Sequence, residues 1–147
     1  MSAAARVSPA AVILGAGGLL PFIGLTTLTA LGPVTWYVYW LTALSQYGAV
    51  ILTFVGALHW GYAMHRGAQG RTAWLQYGFS VVPALLGWAS LFFDVWTALR
   101  MQAVALLGCL AFDLAMARID PVPAAFLRLR AALTATGAAS LLLASLV

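Results

Sequence analysis

One stretch of the chain reads Trp40-Leu-Thr-Ala-Leu-Ser-Gln-Tyr-Gly-Ala-Val-Ile-Leu-Thr-Phe-Val-Gly-Ala-Leu-His-Trp-Gly-Tyr-Ala-Met64. It contains no Asp, Glu, Lys or Arg. About 20 consecutive apolar residues are enough for an α-helix to cross the hydrocarbon core of a bilayer. The stretch therefore predicts a membrane-spanning helix.

Four further apolar stretches of similar length lie on either side of it. The five predicted helices are Ser8–Leu31, Trp40–Met64, Thr72–Phe92, Ala98–Ala117 and Leu129–Val147. The gaps are short, so helices that are neighbours in sequence are predicted to pack antiparallel. Pro21 is predicted to kink the first helix, leaving a backbone carbonyl that a neighbour must satisfy. We predict an all-α membrane protein: one polytopic domain over residues 1–147, a bundle of about five transmembrane helices.

The composition of the whole chain agrees with this prediction. Of its 147 residues, 64% are hydrophobic and only 7% are charged, whereas a soluble domain carries roughly 25% charged residues. So few charges cannot cover a water-facing surface, and the lipid bilayer is the predicted solvent. The net charge of +4 comes from scattered arginines with no lysine, a pattern that suits lipid headgroups and argues against a nucleic-acid partner.

The arginines also predict an orientation. With five crossings, six of the seven arginines fall on one side of the membrane and only Arg100 falls on the other. The six are Arg6, Arg66, Arg71, Arg118, Arg128 and Arg130. Because positive charge accumulates on the cytoplasmic side, we predict a multi-pass protein of the bacterial inner (cytoplasmic) membrane, with its N-terminus in the cytoplasm and its C-terminus outside.

Two ionisable residues lie inside the predicted helices. His59 and Asp113 each sit about one turn from the cytoplasmic end of an antiparallel helix, so we expect them to approach each other directly or through one water. An unpaired charge in the membrane is costly, so the two form a candidate intramembrane polar site, either functional or structural. Arg118 competes for Asp113, although five residues turn a helix by about 140° and aim the two side chains apart. Arg66, Arg128 or Arg130 could also reach inward from the loops.

Small residues mark candidate helix-packing positions at Gly56, Gly87, Ala111 and Ala115. Small side chains let helix backbones approach closely in a bilayer, where no hydrophobic force drives helices together. The stripes predict close packing but leave open whether the partner helix belongs to this chain or to another. We predict a membrane-protein partner or self-association.

Several runs of residues resemble a known family. They are Gly18-Leu-Leu-Pro-Phe22, Tyr47-Gly-Ala-Val-Ile-Leu-Thr-Phe-Val-Gly-Ala-Leu-His-Trp-Gly61, Ser80-Val-Val-Pro83 and Leu129-Arg-Ala-Ala-Leu-Thr134. They resemble the DUF3429 family of transmembrane protein 69-like membrane proteins. The resemblance implies a polytopic inner-membrane protein of unknown function, supplies no reaction or cofactor, and places His59 and Trp60 in its most recognisable motif.

Familiar catalytic signatures are absent from the sequence. It has no Gly-rich phosphate loop, no H-E-x-x-H and no G-x-S-x-G. His59 and His65 do not share a helix face, so we predict no metal site, no cofactor and no catalytic residue. The leading hypothesis is a non-enzymatic accessory or assembly subunit of a membrane complex, such as a respiratory complex. The alternatives are a small proton- or solute-conducting transporter or channel that uses His59 and Asp113, and a quinone- or haem-binding membrane protein.

Overall fold

The computed structural model describes residues 7–147, and these residues form helices and no β-strand. The helices are α1 (Pro9–Gly17), α2 (Leu20–Leu31), α3 (Tyr37–Arg66), α4 (Gly70–Ser90), α5 (Val95–Ile119) and α6 (Ala124–Ala144), and a 3-10 turn (Val34–Trp36) precedes α3. The predicted all-α membrane protein is confirmed. Four spans are long and apolar enough to cross a membrane: Pro9–Leu31, Val34–Arg66, Val95–Ile119 and Ala124–Ala144.

Helix α4 is the fifth member of the bundle if α1 and α2 are counted as one span. Among the described residues it is not one of the four spans that are long and apolar enough to cross a membrane. Its 21 residues correspond to about 31 Å of helix, close to the thickness of the hydrocarbon core. Its polar side chains, such as Gln76 and Ser80, are buried, whereas Trp74, Leu85 and Trp88 are exposed. The polar side chains of α4 therefore face the bundle, and its outer face is apolar.

The first predicted segment is two helices rather than one kinked helix. Helix α1 ends at Gly17 and α2 begins at Leu20, because Pro21 in the first turn of α2 has no N–H to continue the hydrogen bonds of α1. The Tyr47 hydroxyl donates a hydrogen bond of 2.8 Å to the carbonyl of Gly18. A carbonyl at the break is thereby satisfied by a side chain of α3.

The start of α6 differs from the prediction in a way that matters for the site. The helix begins at Ala124 rather than at Leu129, so Arg128 and Arg130 belong to its first turns and not to a loop. Proline is disfavoured in helix interiors but suits the residues at a helix start, and Pro123 immediately precedes α6. Arg130 is thereby carried into the bundle, where it is buried.

Helix α3 is the central helix and packs against α2, α4, α5 and α6. The core contains fully buried leucines such as Leu41, Leu52 and Leu99, while many large apolar side chains, including Phe54 and Val104, are exposed. Such wide apolar exposure is unfavourable in water. It is consistent with a multi-pass protein whose outer faces contact lipid.

The orientation of the bundle remains a prediction, and Arg6, which contributes to it, lies outside the described residues. We expect a topology reporter fused after Val147 to signal the outer compartment, and one inserted between Arg66 and Arg71 to signal the cytoplasm, because of the arginine bias. The measurement is paired alkaline phosphatase and green fluorescent protein activity for each fusion. A cytoplasmic signal from Val147 would contradict the predicted number or direction of crossings.

Candidate functional site

Three helices each contribute one ionisable side chain to a buried cluster, which we call the inner triad. Asp113 of α5 lies between His59 of α3 and Arg130 of α6. The His59 Nε2 to Asp113 Oδ1 distance is 2.8 Å, and Arg130 Nε donates to Asp113 Oδ2 at 2.7 Å. The three residues are only 8–9% exposed. The structure thus brings His59 and Asp113 into direct contact and adds an arginine that the sequence placed in a loop.

The depth of the triad explains why its members are paired. His59 precedes the end of α3 at Arg66 by about 10 Å of helix, and Asp113 precedes the end of α5 at Ile119 by about 9 Å. A lone charge at that depth would lose its hydration without compensation. Each carboxylate oxygen of Asp113 instead has one partner, and the opposite formal charges of Asp113 and Arg130 cancel.

Aromatic rings hold the His59 imidazole in place. Phe79 of α4 and Phe112 of α5 stack on each other with ring centroids 3.6 Å apart. The imidazole meets both rings edge to face, at centroid distances of 5.3 Å and 5.0 Å. Packing on these rings restrains the orientation that directs Nε2 to Asp113.

A second cluster, which we call the outer cluster, lies closer to the same helix ends. Tyr62 Oη donates to Asp120 Oδ2 at 2.9 Å, and Arg66 pairs with Asp120 Oδ1 at 3.2 Å. Positions separated by seven residues share a helix face. Arg66 therefore lies above His59 on α3, and Asp120 lies beyond Asp113, immediately after the last residue of α5.

The inner triad, together with Tyr62 and Asp120 of the outer cluster, lines one cavity of about 480 Å³ at the end of the bundle where α3 and α5 end and α6 begins. Its polar lining residues are His59, Tyr62, His65, Gln76, Asp113, Asp120 and Arg130. Both histidines and two of the three acidic residues of the chain therefore meet at one place. Within residues 7–147, no group of three or more His, Cys, Asp or Glu side chains is arranged to hold a metal ion.

Gln76 of α4 contributes the one fully buried side-chain atom of this lining that lacks a hydrogen-bond partner among the described residues. The residue is 1% exposed, and its Oε1 has no hydrogen-bond partner among the described residues. A buried acceptor without a donor costs about 1–3 kcal/mol. Because buried polar atoms in native proteins nearly always have a partner, an unpaired one calls for a specific explanation.

The predicted packing positions fall into two groups. A Cβ added at Gly56 would lie 2.5 Å from the Ser80 carbonyl oxygen, and one added at Gly87 would lie 3.0 Å from the Ala49 carbonyl oxygen, so both glycines lie where α3 and α4 approach most closely. Ala111 and Ala115 are instead exposed on α5. Close packing at those two alanines stays a prediction that requires a second molecule.

The family described as "Protein of unknown function (DUF3429)" matches residues 7–146. The chain belongs to the DUF3429 family. It is also 37% identical over 135 residues to Transmembrane protein 69 of Xenopus tropicalis, a match that covers 89% of this chain and 51% of that protein. The chain thus spans about half the length of this curated relative. No solved structure matches the chain. The resemblance stated from the sequence is confirmed, and the family is one of unknown function.

Sequence reasoning left three features of the cavity undecided or unseen: which of the candidate arginines reaches Asp113, the outer cluster and Gln76. Two of them left a signal. The spacing of His59, Tyr62 and Arg66 at three and four residues places them on one face of α3. The Pro123–Ala124 step marks a helix start that carries Arg130 inward. Gln76 left none, because a single glutamine does not reveal which way it faces.

Proposed function

We propose that this chain is a non-enzymatic membrane protein that binds a small molecule in the cavity between the inner triad and the outer cluster. The observation that carries the proposal is the convergence of polar side chains from four helices, α3, α4, α5 and α6, on one cavity. Intramembrane ionisable groups are expensive, and they commonly mark functional sites. Gln76 lines the cavity and its buried Oε1 has no partner among the described residues, so a bound molecule would complete this acceptor once the amide turns towards the cavity.

Binding is better supported than conduction. Beyond the triad, the bundle axis is filled by buried apolar side chains, including Leu52, Val55 and Leu106. The next buried polar side chain of α5 towards the other face is Gln102, about 16 Å of helix from Asp113. The polar residues of the cavity therefore reach into the bundle from one end only and do not continue to the other end. This arrangement favours a binding site that opens at one end over a transporter or channel.

The experiment is purification of the full chain in mild detergent, followed by extraction and mass spectrometry of co-purifying small molecules. We expect one compound at near-stoichiometric amount in the wild type and a loss of about tenfold or more in Gly61→Trp. Gly61 lines the cavity, and within the described residues no atom lies within 4 Å of a Cβ added there. A side chain added at Gly61 therefore starts in open space beside the cavity, and we expect the indole to occupy part of it.

The matched control is Gly78→Trp, which adds the same bulk at an exposed glycine of α4 outside the cavity. It should retain the compound at the wild-type amount. An equal content of every extracted compound in the two variants and the wild type would refute the proposed binding function.

A second candidate role, as an accessory or assembly subunit of a bacterial inner-membrane complex, is supported by the outer face of α5. Gly108, Ala111 and Ala115 are exposed there at spacings of three and four residues, which is the pattern of close helix–helix contacts in membranes. Affinity purification from native membranes should recover a membrane-protein partner with the wild type and lose it with the Ala111→Leu/Ala115→Leu double variant. Identical recovery with both chains would count against this role.

A further inference from the structure

An apolar groove of about 350 Å³ runs between α1, α3 and α6. Its lining includes Leu14, Phe22, Ile51 and Leu133, and its only charged lining residue among those described is Arg130. Helix α1 contributes no buried residue, so it closes one side of the groove without filling it. The shape and lining of the groove suit an extended hydrocarbon chain.

The groove and the polar cavity adjoin each other. Leu58, Phe126 and Arg130 line both. Leu58 and Phe126 are 40% and 39% exposed, so neither side chain is locked into the core at the boundary. These three side chains form the wall between the two spaces, and a shift of Leu58 and Phe126 would let one molecule occupy both, with a polar end beside the inner triad and an apolar end beside α1.

The polar lining specifies what the head of such a molecule must offer. Gln76 lines the cavity and its Oε1 lacks a donor among the described residues, so a head with a hydroxyl or an N–H group would satisfy it once the amide turns towards the cavity. Arg130 uses only its Nε–H in hydrogen bonds to residues 7–147, and its guanidinium has further N–H groups. The head therefore also needs an acceptor.

Charge excludes the common anionic lipids as good ligands. Asp113 and Arg130 cancel within the inner triad, and Asp120 and Arg66 cancel within the outer cluster. A phosphate or carboxylate would lose hydration and meet two carboxylates, and the described residues that line the cavity include no unpaired arginine to offset them. A diacyl lipid also carries two chains, whereas there is one groove.

We propose that the ligand is a neutral single-chain amphiphile whose head both donates and accepts hydrogen bonds, bound with its head in the polar cavity and its chain in the apolar groove. This inference rests on the proposed binding function and names its ligand class. Two bilayer-soluble compound types share that chemistry: monoacylglycerols, and prenylated quinols, in which ring hydroxyls take the place of the glycerol hydroxyls.

The test uses the full chain in nanodiscs and measures binding of four probes by native mass spectrometry. The probes are monoolein, a prenylated benzoquinol, oleic acid and phosphatidylglycerol. We expect one or both neutral probes to bind at least about tenfold more tightly than the two anionic ones. Whichever neutral probe binds more tightly identifies the source of the ligand.

Two variants examine the two ends of the site. Ala11→Trp fills the groove from an exposed position of α1, and Ala16→Trp is its control on the same helix outside the groove. Gln76→Leu removes the unsatisfied acceptor, and Gln46→Leu is the control at an exposed glutamine. We expect Ala11→Trp and Gln76→Leu each to weaken neutral-probe binding about tenfold or more, with both controls at the wild-type affinity.

The melting temperature of unliganded Gln76→Leu separates binding from structure. Removing an unsatisfied buried acceptor should leave that temperature unchanged or raise it, whereas a structural glutamine would lower it. A lowered melting temperature would contradict the role assigned to Gln76.

The amphiphile inference and the proposed binding function can be refuted separately. If Gly61→Trp abolishes binding but Ala11→Trp does not, or if phosphatidylglycerol binds more tightly than both neutral probes, the amphiphile inference is overturned while the cavity still binds a ligand. If Gly61→Trp has no effect on any probe or on any co-purified compound, the proposed function fails as well.

Discussion

Asp113→Asn is expected to lower the free energy of unfolding by about 3–5 kcal/mol, which is the usual cost of removing one partner of a buried ion pair. A hydrogen bond between His59 and Asp113 alone would predict a loss of only about 0.6 kcal/mol. The larger value follows from Arg130, which is 8% exposed and would be left as a buried charge without a counter-charge. The measurement is reversible unfolding by denaturant in mixed detergent micelles, followed by circular dichroism.

Two comparisons test the cause of that loss. Asp120→Asn breaks the chemically similar pair of the outer cluster, but the Arg66 side chain there is 48% exposed, so we expect a loss of no more than about 1 kcal/mol. The double variant Asp113→Leu/Arg130→Met removes both charges and should recover most of the stability lost in Asp113→Asn. The explanation fails if Asp113→Asn costs no more than Asp120→Asn, or if the double variant is less stable than the single one.

Gly56→Leu and Gly87→Leu are each expected to destabilise the bundle by at least about 3 kcal/mol, at the upper end of the usual cost of overpacking. The first atoms that a side chain would meet are the carbonyl oxygens of Ser80 and Ala49, at 2.5 Å and 3.0 Å from the added Cβ. Backbone atoms cannot rotate away as a flexible side chain can, so α3 and α4 would have to separate. Thermal unfolding in detergent provides the measurement.

The control for both glycines is Gly78→Leu on the lipid side of α4. No atom of the described residues lies within 4 Å of a Cβ added at Gly78. Leucine is also a better helix former than glycine, by about 0.5–1 kcal/mol, so this variant should be as stable as the wild type or slightly more stable. If Gly56→Leu and Gly87→Leu melt at the temperature of Gly78→Leu, the close approach of α3 and α4 is wrong.

Much of the fold follows from the order of residues along the chain. The length and apolarity of stretches such as Trp40–Met64 predict the helices, because a bilayer leaves an uncovered backbone no other way to satisfy its hydrogen bonds. The two interior ionisable residues, His59 and Asp113, were identified for the same reason, since charge in lipid is costly wherever it lies. The depth of each along its helix follows from the rise per residue.

The remaining features depend on how the helices are rotated about their axes and on where each one begins. The spacing of small residues shows which of them share a face of a helix, but not whether that face points into the bundle or out of it. Sequence spacing alone therefore could not tell that Gly56 of α3 packs against α4 while Ala111 of α5 faces outward. The site depended on a shift of a few residues at the start of α6, which took Arg130 from a predicted loop to within 2.7 Å of Asp113. Tertiary packing decided this contact and the inner triad around it, because α3, α5 and α6 must bring their side chains to the same depth. The sequence of a single helix does not show the depth at which its neighbours lie.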